Sequence, residues 1–437
     1  MNDDVRRTMN RRTMLTSSVM GATGLALASV GVERIAAQEG TPEASPVGVV
    51  NDEEATVAAD ASPAAVTASQ YAYVGIDSRS AIGAGADAAM AGITVFAIDS
   101  ESGALQEIQS LPSDNAFFFA FDADQTHLYA VNVIGDYEGG SNGSVEAYAR
   151  DPETGMLTFL NRVDSGGAVS AQPAVSPSGR WLLVANYGGG NVTVLRINDD
   201  GSVGEVVGGV ERMRATPEAA PQDQSRPHAA VFDPAGNFVA VADLGTDHVL
   251  TYSLDDATGE LTEVSSVDAQ PGSGPRHIVF NVDGTVMYVV NELGGTIDVY
   301  AYDMTTGAIG ELKQTVSTFP DPFEGTKSTA EIKIHPSGQF LYNSNRGQPD
   351  MVTPEGDAIV AWSIDPAEGT LTLIGHTIDA IGQPWSFDFD TGGANLYAAN
   401  YTDSTVTQFT VDPVSGALLF TGNSTDIPFP FVIAISA

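Results

Sequence analysis

Short runs in which apolar and polar residues alternate recur along this chain, and they recur in pairs. One set reads Phe117 to Asn132 (FFFAFDADQTHLYAVN), Gln172 to Asn186 (QPAVSPSGRWLLVAN), Pro227 to Asp243 (PHAAVFDPAGNFVAVAD), Pro275 to Asn291 (PRHIVFNVDGTVMYVVN), Ala330 to Asn345 (AEIKIHPSGQFLYNSN) and Pro384 to Asn400 (PWSFDFDTGGANLYAAN). Each is an alternating run, a turn of the Asp-Pro-x-Gly or Pro-Ser-Gly kind, and a second run ending in Asn or Asp. A period of two with a Gly-bearing turn between runs is the pattern of a β-hairpin. A second hairpin follows, as in VLTYSLDDATGELTEV from Val249 and IVAWSIDPAEGTLTLI from Ile359. Four strands repeating roughly every 50 residues is the spacing of propeller blades.

Six such units are complete. Tyr71–Gly75 and Ile93–Ile108 carry the later strands of another blade without its first, and Phe429–Ile435 is a lone strand at the other end of the chain. Together they make a seventh blade, and closing the ring this way removes two open sheet edges. The expected fold is all-β, a seven-bladed β-propeller over residues 70–437 closed by the C-terminal strand on the N-terminal blade. A ring of six or eight blades is the alternative.

The first 69 residues do not fit that repeat. Arg11-Arg12-Thr13-Met14-Leu15, with Arg6-Arg7 before it, opens a mildly apolar stretch from Met14 to Val32 that ends near the small residues Ala36-Ala37. Residues 1–38 read as a twin-arginine signal peptide, which implies a periplasmic or extracellular destination. A membrane anchor is the other reading, disfavoured by the Gly and Ser content. Residues 39–69, rich in Pro, Ala, Glu, Asp and Thr without period, read as a disordered linker. No later stretch is apolar enough to span a bilayer.

Composition narrows the function. Acidic residues number 56 against 18 basic ones, a net charge of −38, which repels nucleic acid and anionic membrane surfaces. No cysteine is present. That excludes disulfides, iron–sulfur clusters, Cys-ligated zinc and a thiol nucleophile. Asp199-Asp200-Gly201 and Asp255-Asp256 fit turns better than metal sites, although so acidic a chain leaves Ca²⁺ open. No cofactor is expected, and the oligomeric state is left open.

The hairpins say where a site would lie. The start of each innermost strand and the end of the second share one face of the ring, because the two strands are antiparallel. Residues opening the first strands are Phe117, Ala171, His228, Arg276, Ala330 and Trp385. Those just past the second strands are Val133, Tyr187, Leu244, Glu292 and Arg346. One rim therefore gathers His228, Arg276, Glu292 and Arg346 with the aromatic Tyr187 and Trp385. His can move a proton near neutral pH, and Arg fits a carboxylate or a developing oxyanion. This set suits the opening or closing of a lactone. It suits equally a purely structural role at blade junctions. His127 and His335 lie in or beside turns, His248 and His376 on outer strands. His277, next to Arg276, should point the other way on a strand and belong to the core.

At these residues the chain resembles the seven-bladed lactonase propellers, which include 6-phosphogluconolactonases and carboxy-muconate cyclases. The matching motifs are Ser225-Arg226-Pro227-His228, Gly274-Pro275-Arg276-His277, Asn291-Glu292-Leu293, Glu331-Ile332 with His335-Pro336-Ser337-Gly338, Ser344-Asn345-Arg346-Gly347, and Val184 to Gly190 (VANYGGG). The resemblance implies His228, Arg276, Glu292 and Arg346 as catalytic residues. Tyr187, Trp385, Asn291 and Asn345 are expected to contact substrate, and no metal is expected. Two departures stand out. Trp385 follows Pro384 where the family carries Arg, and Val133 stands where the family's Val-Asn-Glu has its Glu. Residues 347–357 look lengthened. One Arg fewer, together with export, points to an unphosphorylated sugar lactone or a dicarboxylate. The partner expected is therefore a small anionic or lactone substrate. A non-catalytic extracellular propeller that binds a ligand or partner protein is the rival reading.

Overall fold

The computed structural model describes residues 70–88, 91–211, 221–346 and 356–436. The expected signal and linker, and most of the lengthened segment 347–357, lie outside the described residues.

Seven four-stranded antiparallel sheets form the ring. The innermost strands are Ala116–Phe121, Ser170–Val175, Pro227–Phe232, Pro275–Phe280, Thr329–Ile334, Pro384–Phe389 and Pro430–Ser436. The last belongs to the first blade. It pairs antiparallel with Tyr71–Ile76, from Tyr71 opposite Ser436 to Gly75 opposite Val432. The first and last described strands thus share a blade, as the hairpin count implies.

The core lies between blades rather than within them. Seven apolar clusters fill the seven seams, each built from two neighbouring sheets. Tyrosines on second strands tie four seams in the same way. The hydroxyls of Tyr73, Tyr288, Tyr342 and Tyr397 donate to the carbonyls of Gly155, Gly369, Gly416 and Gly103 in the next blade, at 2.7–2.8 Å. Burying one such ring removes about 150–250 Å² from water, an upper estimate of about 4–6 kcal/mol. Its hydrogen bond adds only about 1 kcal/mol, so packing holds the seam and the bond sets the register. The receiving turns need glycine. Gly155 sits at φ +69°, and a Cβ there would lie 2.3 Å from the Tyr71 ring.

One irregularity recurs in all seven blades. Pairing between the innermost and second strand slips by one residue near the start of the inner strand, between Pro227 and Ala229, Pro275 and His277, and Pro384 and Ser386, and likewise in the others. A β-bulge leaves its extra residue off the ladder and re-aims the side chain. The extra residues include Phe117, Ala171, His228, Arg276, Trp385 and Phe431.

Candidate active site

Each bulge stands near the start of its inner strand, and side chains from six of them meet around one mouth. Arg276 donates from Nε to Oε2 of Glu292 at 3.0 Å. Arg346 donates from Nη2 to Oε1 of the same carboxylate at 2.9 Å. The Arg346 guanidinium lies over the Trp385 ring, 4.2 Å from its centre. Trp385 meets Phe117 edge-on at 5.9 Å, and Phe117 lies 6.3 Å from the His228 ring. His228 packs on His277 at 5.0 Å, and Nε2 of His277 is 3.3 Å from Nη1 of Arg276. These contacts close a circle around one mouth. Tyr187 adjoins it, 5.7 Å from His228, with the Arg226 guanidinium 5.1 Å from the Tyr187 ring centre.

The four residues expected to carry chemistry are therefore together, as are Tyr187 and Trp385. Asn291 and Asn345 are not at the mouth. Both are fully buried. Asn291 donates to Thr296 and Asp298, and Asn345 donates to the Thr318 carbonyl and accepts from Asn343. The reason is repetition. Asn132, Asn186 and Asn400 close the second strands of other blades and pin neighbouring serine, threonine or backbone groups in the same manner. An asparagine that recurs at the same place in five blades serves the blade rather than one mouth.

Other features escaped the alternation argument. His277 is buried as expected, but the bulge turns it toward its neighbour Arg276 and into the circle. Its Nδ1 faces Oε1 of Glu331 at 3.0 Å. Phe118, on another blade, meets His277 at 5.3 Å. Phe431, the bulged residue of the closing strand, and Tyr401, just past a second strand, complete an aromatic wall with Trp385 and Phe117. A short helix, Ser78–Gly83, follows the strand Tyr71–Ile76. Asp77 caps it by accepting from the Ser80 backbone N–H, visible in retrospect as an Asp-Ser-x-Ser start, and also accepts from the Tyr401 hydroxyl.

Charge at the mouth is unusual for this protein. Two guanidinium groups share the Glu292 carboxylate, which concentrates positive charge at the rim of a strongly acidic chain, an arrangement that can hold an anion. Arg276 is only 2% exposed. Burial and the nearby Arg346 push it down to about 10, so it stays charged at neutral pH. Burial, with Arg276, His277 and Arg346 adding to it, holds His228 well below the ordinary imidazole value of 6.5. His228 is thus neutral at pH 7. Burial and the Glu292 charge push the Tyr187 hydroxyl up to about 12, so it remains protonated.

Three buried nitrogens of the circle, His228 Nδ1, Arg346 Nε and Trp385 Nε1, make no hydrogen bond to the described residues. Buried polar groups are rarely left so, at about 1–3 kcal/mol each, unless something else meets them. Among the described residues no cluster of three or more His, Asp or Glu side chains could hold a metal ion. A surface cleft of about 600 Å³ between outer strands, lined by Asn142, Asp164, Val203 and Glu205, brings no base and cation together.

The chain is similar to known proteins over most of its length. Residues 79–435 match the family described as Lactonase, 7-bladed beta-propeller. A 6-phosphogluconolactonase of Bacillus subtilis is 30% identical over 78% of this chain and 93% of its own length. One from Formosa agariphila is 29% identical over 75% of this chain and 90% of its own. Among solved structures, the periplasmic gluconolactonase of Pseudomonas aeruginosa superposes with a TM-score of 0.76 at 29% identity, over 84% of this chain and 99% of that one.

Proposed function

We propose, from the seven-bladed β-propeller lactonase family to which this chain belongs, that it hydrolyses an unphosphorylated sugar-acid lactone outside the cytoplasm. The observation that carries the reading is the circle itself: a neutral imidazole and two guanidiniums that share one carboxylate stand around one mouth.

The chemistry follows from those groups. The His228 imidazole accepts a proton from water as the oxygen attacks the lactone carbonyl carbon. The carbonyl oxygen takes up the negative charge. Arg346, whose Nε lacks a partner, and Arg276 stabilise it. The tetrahedral centre collapses, the bond to the ring oxygen breaks, and the imidazolium returns its proton to that oxygen. The product is an open hydroxy acid whose proton passes to solvent. Glu292 holds both guanidiniums in place. A positioned base contributes about 10²–10⁴-fold, and one oxyanion donor about 10²–10³-fold.

The finer part of the proposal, that the sugar carries no phosphate, rests on Trp385. With Phe117, Tyr401 and Phe431 it offers apolar faces where a further cation would meet a dianion. Those faces suit the C–H surface of a sugar ring. The twin-arginine reading of residues 1–38 and the likeness to a periplasmic gluconolactonase support an exported enzyme. The test is acid release at constant pH from glucono-1,5-lactone and from its 6-phosphate. The reading expects the unphosphorylated lactone to be turned over at least tenfold more efficiently. The reverse preference would remove the phosphate-free assignment.

A further inference from the structure

His277 and Glu331 form a buried pair beneath the mouth that the hydrolytic steps leave unused. We propose that His277 is a positioning residue for Arg276, and that Glu331 imposes the tautomer this requires. The kinetic part of this proposal rests on the lactonase reading; the structural part does not.

The argument begins with hydrogen-bond inventory. A guanidinium has donors only. The contact between Arg276 Nη1 and His277 Nε2, at 3.3 Å, therefore needs an unprotonated Nε2. The ring proton must sit on Nδ1, where it donates to Oε1 of Glu331 at 3.0 Å. Were the proton on Nε2, two donors would face each other, and Glu331 would face a bare nitrogen. Glu331 is itself fixed. Its Oε1 also accepts from the Ile332 backbone N–H, and its own N–H donates to Ser344 Oγ, both at 3.0 Å. The bulge in this blade frees that N–H from the ladder, and Ser344 takes it up.

The imidazole cannot easily turn. Phe118 meets it edge-on at 5.3 Å, and the His228 ring packs on it at 5.0 Å. Nor does it charge readily. It faces Arg276 on one side and Glu331 on the other, with Glu292 beyond Arg276, Lys333 behind Glu331 and His228 beside it. Burial first, and Arg276 second, hold its pKa below the usual value despite both carboxylates. Arg276 is thus gripped at two points, Nε by Glu292 and Nη1 by His277, which fixes the guanidinium plane. A misplacement of about 1 Å in a catalytic group can lower the rate about 10²-fold.

The experiment compares His277→Leu, which loses the acceptor, with His277→Gln, which can accept from Arg276 and donate to Glu331. Glucono-1,5-lactone is the kinetic probe, and crystal structures of both variants are the second readout. His277→Leu is expected to lower kcat between 10- and 100-fold with KM changed less than threefold, and to displace the Arg276 guanidinium by about 1 Å. His277→Gln is expected to return kcat to within fivefold of wild type. Should His277→Leu not fold, His277→Asn keeps the donor to Glu331 without reaching Arg276 and serves in its place. If wild type hydrolyses the lactone and the acceptor-less variant keeps kcat within twofold, positioning is refuted and the lactonase reading stands. If wild type hydrolyses no lactone, that reading fails, and the crystal structure decides: an unmoved Arg276 refutes positioning, a displaced one supports it.

Discussion

Arg276 and Arg346 come from adjacent blades and grip opposite oxygens of one carboxylate, Glu292, at 3.0 and 2.9 Å. Neither guanidinium would be stable so close to the other without it. Function and stability are therefore coupled at this point. Glu292→Gln should lower both, since it leaves two cations facing each other. Breaking a buried ion pair costs about 3–5 kcal/mol, and with Glu292 22% exposed the lower end applies. A thermal melt at pH 7 should show a drop of several degrees. The kcat of the folded variant should fall at least tenfold. An unchanged melting temperature with unchanged kcat would mean that the carboxylate does not organise the pair.

The depressed pKa of His228 predicts a pH profile. The base must be neutral to work, so kcat/KM should hold constant down to pH 6.5 and bend only below it. A rate–pH titration of lactone hydrolysis from pH 4 to 8 measures this; a midpoint above 6.5 is the contrary result. Stability has the same sign. His228 and His277 resist protonation when folded, whereas in the unfolded chain they titrate near 6.5. Below that value the unfolded state takes up protons that the folded state refuses. Stability should thus be full above pH 6.5 and fall as pH drops toward the folded values, by at most about 1.4 kcal/mol per pH unit for each group.

Asn291 should matter for folding and not for the chemical step. Asn291→Ala removes hydrogen bonds to Thr296 and Asp298 inside a blade and leaves Asp298 with fewer partners. The expected loss is about 1–3 kcal/mol by denaturant titration. The kcat of the folded variant should stay within threefold of wild type. A loss of turnover at full stability would return Asn291 to the substrate.

Trp385 should control which lactone is accepted. Trp385→Ala removes one aromatic face, worth about 0.5–1.5 kcal/mol of stacking, so KM for an unphosphorylated sugar lactone should rise about 2–10-fold. Trp385→Arg should shift the ratio of kcat/KM toward the 6-phosphate at least tenfold. Paired steady-state assays on the two lactones check both. An unmoved ratio would detach this side chain from selectivity.

Much of this architecture is legible in the sequence because propeller geometry is built from repeats. Six hairpin pairs and two stray fragments add up to seven blades. Antiparallel pairing alone puts His228, Arg276, Glu292 and Arg346 on one rim. What the alternation rule could not show is the bulge. An extra residue at Arg276 leaves no mark in the hydrophobic pattern, nor does the slip between Thr329 and Ile332, yet these bulges bring His277 to Arg276 and Glu331 to His277. Phe431 was hidden for a related reason. It opens the innermost strand of a blade whose other strands stand at the far end of the chain, so no hairpin in sequence announces its place at the mouth. Asn291 and Asn345 misled in the opposite direction. They border Glu292 and Arg346 in sequence, but an asparagine closing nearly every second strand answers a need of the blade.

The central claim is that the His228 imidazole acts as the base of a hydrolytic site. The most direct measurement is acid release from glucono-1,5-lactone at pH 7, above the spontaneous rate, by wild type and by His228→Ala of equal thermal stability. The account predicts catalysis by wild type and a loss of about 10²–10⁴-fold in kcat for the variant. Equal rates in the two proteins would contradict it.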